Sequence, residues 1–190
     1  MIRLYDVLPT AIEFDGVTYA YNPCFDNVLA AYDQLGNDKL VGLDKPAVFF
    51  AVLEFDPMPA GTVQQFIGLI KAVSSQLQTS SEDTVEYDVL GNPIEMPPSK
   101  TERHFSFTQD AGYIYAAFRQ AYGIDLFAEQ GRLHWLEFMA LFNGLPDNTV
   151  FRQIVELRAK DPGEIKDKKA RAQLIEQQKQ YALHEEGSDS

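Results

Sequence analysis

The sequence predicts a mainly α-helical protein: a helical domain with a small N-terminal β-hairpin and an extended C-terminal helix. Three observations favour this class. In most segments apolar residues recur every three or four positions, which is the spacing of one face of a helix. One segment near the N-terminus instead alternates apolar and polar residues around an Asp-Gly pair. The chain of 190 residues is 45% hydrophobic and 23% charged, which is typical of a folded protein with a sizeable core.

The alternating segment predicts a hairpin. Residues 12–14 and 17–21 alternate on either side of Asp15 and Gly16. Asp-Gly is favoured in two-residue hairpin turns because both positions need a positive φ angle. A lone hairpin is only marginally stable in water, so we expect this one to pack on the rest of the protein.

Three helices are predicted between the hairpin and residue 78. Asn22 is expected to cap the first helix, with Pro23 at its first position, and Gly36 is expected to end it. The apolar run 48–53 suits a buried helix, and a strand is the alternative. The third helix follows residues 61–62, and these apolar residues have helical spacing: Val63, Phe66, Ile67, Ile70, Val73 and Leu77.

The following segment, 79–104, is polar and contains one Gly and three Pro residues. This composition favours a mobile surface loop or linker. The sequence therefore divides into a hairpin plus helices (1–78), a flexible linker (79–104), a core helical region (105–161), and a charged C-terminal helix with its tail (162–190). We expect these parts to form one domain.

The core region is predicted to hold three consecutive helices. Ser106 and Gln109 have the spacing of a capping box, in which each side chain bonds the other residue's backbone amide. Asp110 is then expected in the first turn, where the helix dipole favours a negative charge. Gly123 is well placed to end this first helix, because its backbone adopts a left-handed conformation without strain.

The second of these helices, 133–142, is apolar on nearly every side. A short helix of this kind lies within a core or under a partner. We therefore expect Trp135 and Phe138 to be among the most buried side chains. His134 is interpreted as a residue at the core margin, and a ligand or stacking site is the alternative.

The remaining helices have polar start signals. Asn148 or Thr149 is expected to cap the third helix of the core region. Asp161 is expected to cap the last helix, with Pro162 at its first position. That last helix, 165–183, contains few apolar residues, so it is either a surface helix or an arm that binds a partner.

A short apolar stripe on the last helix is our candidate partner-binding site. Its residues are Leu174, Ile175 and Tyr181. Two charge pairs, Glu164–Lys168 and Asp167–Arg171, have the i,i+4 spacing that weakly stabilises an isolated helix.

Residues with catalytic or metal-binding chemistry are scattered. His104, His134 and His184 lack the spacing of a metal or protease motif. Cys24 is the single cysteine, and its apolar, acidic neighbours predict a raised thiol pKa and an inert side chain. We therefore predict a protein that is not an enzyme, with no catalytic residues, no metal and no cofactor, and the single cysteine fits a reducing cytoplasm.

The charge distribution bears on partners. The net charge is −12, and residues 1–99 contain 14 acidic and 4 basic side chains. This argues against nucleic acid as a partner, since phosphate binding needs clustered Lys and Arg. The apolar stretches are too short to cross a membrane, so no membrane partner is expected. The acidic half serves solubility or meets a basic partner, and its scattered acids do not suit a DNA mimic.

Several motifs together resemble the bacteriophage Gp15 family. The residues that carry the resemblance are 105–118, 122–126 and 133–138, with the hairpin followed by Asn22 and Phe25, and the later segments 143–146, 154–158 and 181–183. The resemblance covers nearly the whole chain. It is specific over 105–158 and loose over 39–100.

This resemblance implies a role in building a phage tail. Members of the family resemble products of siphophage tail modules that are encoded beside the tape-measure protein. The implied function is a non-enzymatic tail-assembly chaperone that binds the tape-measure protein before tail-tube subunits polymerise around it. The tail-tube protein or a second tail chaperone are further implied partners. The alternative is a structural tail or head–tail completion protein that stays in the virion.

Overall fold

The computed structural model describes residues 4–37, 39–77 and 104–184. Within these residues the chain forms a two-stranded antiparallel sheet, seven α-helices and one 3-10 turn. The elements in chain order are β1 (Ala11–Phe14), β2 (Val17–Ala20), α1 (Phe25–Leu35), α2 (Asp44–Val52), α3 (Val63–Leu77), α4 (Ala111–Tyr122), α5 (Trp135–Asn143), α6 (Val150–Ala159), the 3-10 turn (Pro162–Glu164) and α7 (Lys168–Gln180). The prediction of a mainly helical protein with an N-terminal hairpin and a C-terminal helix is confirmed.

The described residues group into two compact units. The first contains the hairpin, α1, α2 and α3, together with residues 127–143, which include α5. The second contains α4, α6, the 3-10 turn and α7. The predicted linker 79–104 lies outside the described residues except for its last position, so its mobility stays a prediction, as does the division into domains.

The hairpin forms as predicted. Ile12 pairs with Tyr19, and Phe14 pairs with Val17 across the turn. Asp15 and Gly16 have φ angles of 49° and 76°, both positive as the two-residue turn requires. At the end of β2, Ala20 also exchanges backbone hydrogen bonds of 2.8 and 2.9 Å with Asp56 in the first unit.

Helix α1 begins later than predicted. The Asn22 side chain does not cap the helix; its Oδ1 accepts a hydrogen bond from the Cys24 amide at 3.1 Å, which turns the chain before the helix begins. Cys24 therefore occupies the N-cap position, and α1 starts at Phe25. The run 48–53 is helical for most of its length, as preferred, and places Phe49 and Phe50 in the core of the first unit.

Helix α5 packs in the first unit, against α1 and the end of α3. Phe138 stacks on Phe25 of α1 with ring centroids 4.9 Å apart. The Trp135 indole N–H donates to the Leu77 carbonyl at 3.0 Å, at the end of α3. Phe138 is 1% exposed, as predicted, whereas Trp135 is only half-buried because its indole reaches that carbonyl at the margin of the core.

The second unit is built around aromatic and aliphatic residues of α4 and α6. Its buried side chains include Ile114, Phe118, Phe151 and Ile154. Gly123 ends α4 in the left-handed region, with φ 70°, as predicted.

The starts of the last two helices only partly match the prediction. Thr149, one of two predicted caps, accepts from the Arg152 amide at 3.4 Å. Asp161 caps the 3-10 turn instead of a long helix, because the backbone becomes extended again at Ile165. Asp167 then caps α7 by accepting from the Ala170 amide at 2.7 Å.

Helix α7 is therefore shorter than the predicted 165–183. The Asp167 carboxylate serves as its cap, and Arg171 donates two hydrogen bonds to the Ile165 carbonyl, at 3.0 and 2.7 Å. Both side chains of the predicted Asp167–Arg171 pair thus bond main-chain groups.

Candidate partner-binding surface

The three histidines and the cysteine, all of them described residues, do not form a metal-binding group. No group of three or more His, Cys, Asp or Glu side chains among the described residues is placed to hold a metal ion. His134 lies in the first unit, 8% exposed, as expected for a residue at the margin of the core. Its Nδ1 accepts from the Leu136 amide and its Nε2 bonds the Pro9 carbonyl, each at 3.0 Å. Because Nδ1 accepts a hydrogen bond, the ring proton is on Nε2. The ring thus joins the Pro9 carbonyl to the Leu136 amide.

Cys24 has the inert environment that the sequence predicted. Burial raises the pKa of its thiol, and the negative charges of Asp26 and Glu54 raise it further. Less of the nucleophilic thiolate is present at neutral pH as a result.

The most distinctive polar structure lies in the second unit, where Arg158 of α6 meets Asp110 at the start of α4. Two parallel hydrogen bonds of 2.7 and 2.9 Å join the guanidinium to the carboxylate. The two side chains are 10% and 2% exposed. Because this geometry is bidentate and almost dry, the pair fixes α4 and α6 at a defined register.

Arg158 also bonds main-chain groups on two other segments. Its Nη1 donates to the His104 carbonyl at 3.0 Å, and its Nε donates to the Tyr181 carbonyl at 2.6 Å, just after α7. A single guanidinium thus joins the residues before α4, the end of α6 and the end of α7.

The predicted capping box is half confirmed, and its other half leads to α7. Ser106 Oγ accepts from the Gln109 amide at 3.2 Å, as predicted. The return bond comes from Asp110, whose Oδ2 accepts from the Ser106 amide at 3.0 Å. The Gln109 side chain is thereby available to bond the main chain of His184 twice, donating at 2.7 Å and accepting at 2.8 Å.

Helix α7 also contributes a polar side chain to its contact with the end of α6. Gln178 Nε2 donates to the carbonyls of Leu157 and Lys160, at 2.9 and 2.7 Å. The last carbonyls of a helix have no partner within the helix, so Gln178 satisfies this end of α6.

The three predicted partner-binding residues have different environments. Leu174 is 6% exposed, and it is the buried residue of α7. Ile175 is 38% exposed and Tyr181 is half-buried. They do not form one continuous exposed stripe, so their role in binding stays a prediction. An open depression lies beside Leu174, and it is lined by Ala170, Gln173, Leu174, Glu176, Gln177 and Gln180.

The sequence reasoning missed the residues that hold α7. Arg158 was noted only as the end of a motif, and Gln178 lies in a polar run with no distinguishing pattern. Gln109 was recognised through the capping box, but its bond to His184 joins residues 75 positions apart. No local pattern predicts such a contact.

Among the described residues no helix is long and apolar enough to span a bilayer. A family model described as Bacteriophage Gp15 protein matches residues 4–183. The chain belongs to the Bacteriophage Gp15 protein family. This membership agrees with the motif resemblance and indicates a phage structural or assembly protein. No curated protein and no solved structure matches the chain.

Proposed function

We propose that this Gp15-family protein is a tail-assembly chaperone that binds the phage tape-measure protein before the tail tube polymerises. The observation that carries the proposal is the family match over 4–183, which indicates a phage structural or assembly protein. Tape-measure proteins are long and mostly helical, so a chaperone for them needs a surface that accepts helices. It acts in the host cytoplasm, without catalysis, and is absent from the finished virion.

The proposed contact lies on the second unit, in the region formed by α7 and the surface that α7 covers, which includes the predicted partner-binding residues Leu174, Ile175 and Tyr181. Helix α7 exposes most of its residues, and the depression beside Leu174 gives a partner room to approach. The acidic residues of 1–99 support the binding in a different way. They attract a basic partner at long range, so association slows as salt screens the charges above about 0.15 M.

The test is co-expression of the tagged full chain with the tape-measure protein encoded by the same phage. We expect the tape-measure protein to co-purify, and hydrogen exchange in the second unit to slow in the complex. The control is an unrelated acidic protein with the same tag. Failure to co-purify would contradict the chaperone function.

A structural tail or head–tail completion protein is the second candidate, because family membership indicates structural and assembly roles alike. Mass spectrometry of purified virions separates the two. A chaperone is absent from the particle, whereas a completion protein is present in a fixed number of copies.

A further inference from the structure

Helix α7 is attached to the second unit with little apolar contact. Among its 13 residues, Leu174 is the buried one. Apolar burial is the main force that holds most surface helices in place. The attachment of α7 therefore depends to an unusual degree on its hydrogen bonds, which water can replace.

The hydrogen bonds from the body of the unit to the end of α7 reach only main-chain atoms. Arg158 donates to the carbonyl of Tyr181, and Gln109 bonds both the amide and the carbonyl of His184. Every residue except proline offers both of these atoms. This part of the contact therefore recognises the end of a helix without requiring the sequence of α7.

The connection between α6 and α7 is partly extended. Asp161, Ile165 and Asp167 have extended backbones, and the two bonds from Arg171 to the Ile165 carbonyl tie the start of α7 to its own connection. The bonds that hold α7 to the rest of the unit lie at its C-terminal end and in the residues just after it, from Gln178 to His184.

We propose that the surface under α7 is a general helix-binding site that α7 occupies until a helix of the partner replaces it. We call it the α7-binding site and define it by Gln109, Leu157, Arg158 and Lys160. The identity of the partner as the tape-measure protein rests on the proposed function. The chemistry of the ligand follows from α7 itself: an amphipathic helix with an apolar residue seven positions before the residue whose carbonyl meets Arg158, as Leu174 precedes Tyr181.

The first experiment uses α7 as its own probe. A labelled synthetic peptide of residues 165–184 is titrated into the full chain and into full-chain Leu174→Asp. That substitution places a charge in the buried position of α7 and leaves the α7-binding site unchanged. Ala172→Asp is the matched control, because it places the same charge at an exposed position of the same helix. Gln178→Ala is a milder second variant that removes two bonds.

We expect the peptide to bind Leu174→Asp and Gln178→Ala more tightly than the wild type, by about tenfold for a site that is open a tenth of the time in the wild type. Hydrogen exchange should become faster in α7 of these variants and stay slow in α4 and α6. Ala172→Asp should behave as the wild type does. If α7 exchanges freely and the peptide still binds no more tightly, or if neither variant releases α7, the proposal is overturned.

The second experiment repeats the tape-measure capture with the same variants. Stronger capture by Leu174→Asp than by the wild type supports replacement of α7 by the partner. Equal or weaker capture, with the wild type still active, overturns replacement by this partner and leaves the proposed function intact. If no chain captures the tape-measure protein while the peptide binds Leu174→Asp, the proposed function fails and the helix-binding site stands.

Discussion

Arg158 joins several segments of the second unit. It contacts Asp110 through two bonds and the carbonyls of His104 and Tyr181 through two more. Both members of the ion pair are largely removed from water. Removing one charge of such a pair is costly, because the other charge then remains buried without compensation.

We therefore predict that Asp110→Asn lowers the free energy of unfolding by about 3–5 kcal/mol. The matched control is Asp147→Asn, which breaks the exposed Arg152–Asp147 pair of 3.6 Å and should change stability by less than about 1 kcal/mol. Urea denaturation followed by circular dichroism measures both. Equal losses for the two variants would show that the buried pair has no special role.

Tyr21 links stability to pH at the alkaline end. Burial raises the pKa of Tyr21 to about 12, and the neighbouring Tyr32 adds to the shift. Its hydroxyl donates to Gln76 Oε1 at 3.1 Å in the first unit. The unfolded chain loses this proton near pH 10, whereas the folded chain keeps it to about pH 12.

Stability contributed by this proton is therefore complete below pH 10 and is lost as the pH rises towards 12. We predict that the wild type loses stability between pH 10 and 12 more steeply than Tyr21→Phe does. Urea denaturation midpoints across this range measure the difference. Parallel curves for the two proteins would contradict the raised pKa.

At the scale of elements, two glycines of the same helix differ in what their backbones require. Gly123 ends α4 with φ 70°, a conformation that strains any residue with a Cβ. Gly112 lies in the first turn of α4 with helical backbone, and a Cβ added there meets no atom within 4 Å.

We predict opposite effects for the two alanine substitutions. Gly123→Ala should destabilise the protein by about 1 kcal/mol, and Gly112→Ala should stabilise it by about 0.5–1 kcal/mol. Thermal unfolding of the two variants beside the wild type gives the sign directly. Destabilisation by both would mean that Gly112 has a packing role that its open surroundings do not indicate.

Helix α5 owes its place in the first unit to two aromatic residues with different functions. Phe138 is buried between Phe25 and Trp135, with centroid distances of 4.9 and 5.5 Å. Trp135 adds the hydrogen bond to Leu77 at the edge of that stack.

We predict that Phe138→Ala lowers the free energy of unfolding by about 3–5 kcal/mol, because it leaves a cavity in the core. Trp135→Phe keeps an aromatic ring but removes the indole N–H, so its expected loss is only about 1–2 kcal/mol. Chemical denaturation compares them. A larger loss for Trp135→Phe would mean that the indole, and not Phe138, anchors α5.

The elements that sequence predicted well are those set by local chemistry. Asp15-Gly16 makes a hairpin, Gly123 ends a helix and Thr149 caps one, because each needs only its neighbours along the chain. Asn22 shows the limit of this reasoning. Its side chain has several local amides within reach, and it bonds Cys24 in a turn instead of capping the helix.

Local sequence patterns do not predict contacts between distant segments. An apolar helix can pack on any apolar surface, so its sequence did not place α5 with α1 instead of with α4 and α6. The low apolar content of the last helix can be read from the sequence. No local pattern predicts the bonds from Gln109 and Arg158 that hold this helix.

At the scale of the whole molecule, membership of the Bacteriophage Gp15 protein family indicates a phage structural or assembly protein. The second unit contains the surface on which we propose that the partner binds. A helix that is held by few apolar contacts is a reasonable occupant for a site that later accepts a partner's helix. In the proposed assembly role, the α7-binding site exchanges α7 for a helix of the partner.

The most direct test of the central claim is capture of the tape-measure protein of the same phage by the full chain in co-expressing cells. The account predicts a soluble complex of the two proteins, with slower hydrogen exchange in the second unit and reduced association at high salt. Recovery of the chain alone, with the tape-measure protein expressed and soluble in the same cells, would contradict it.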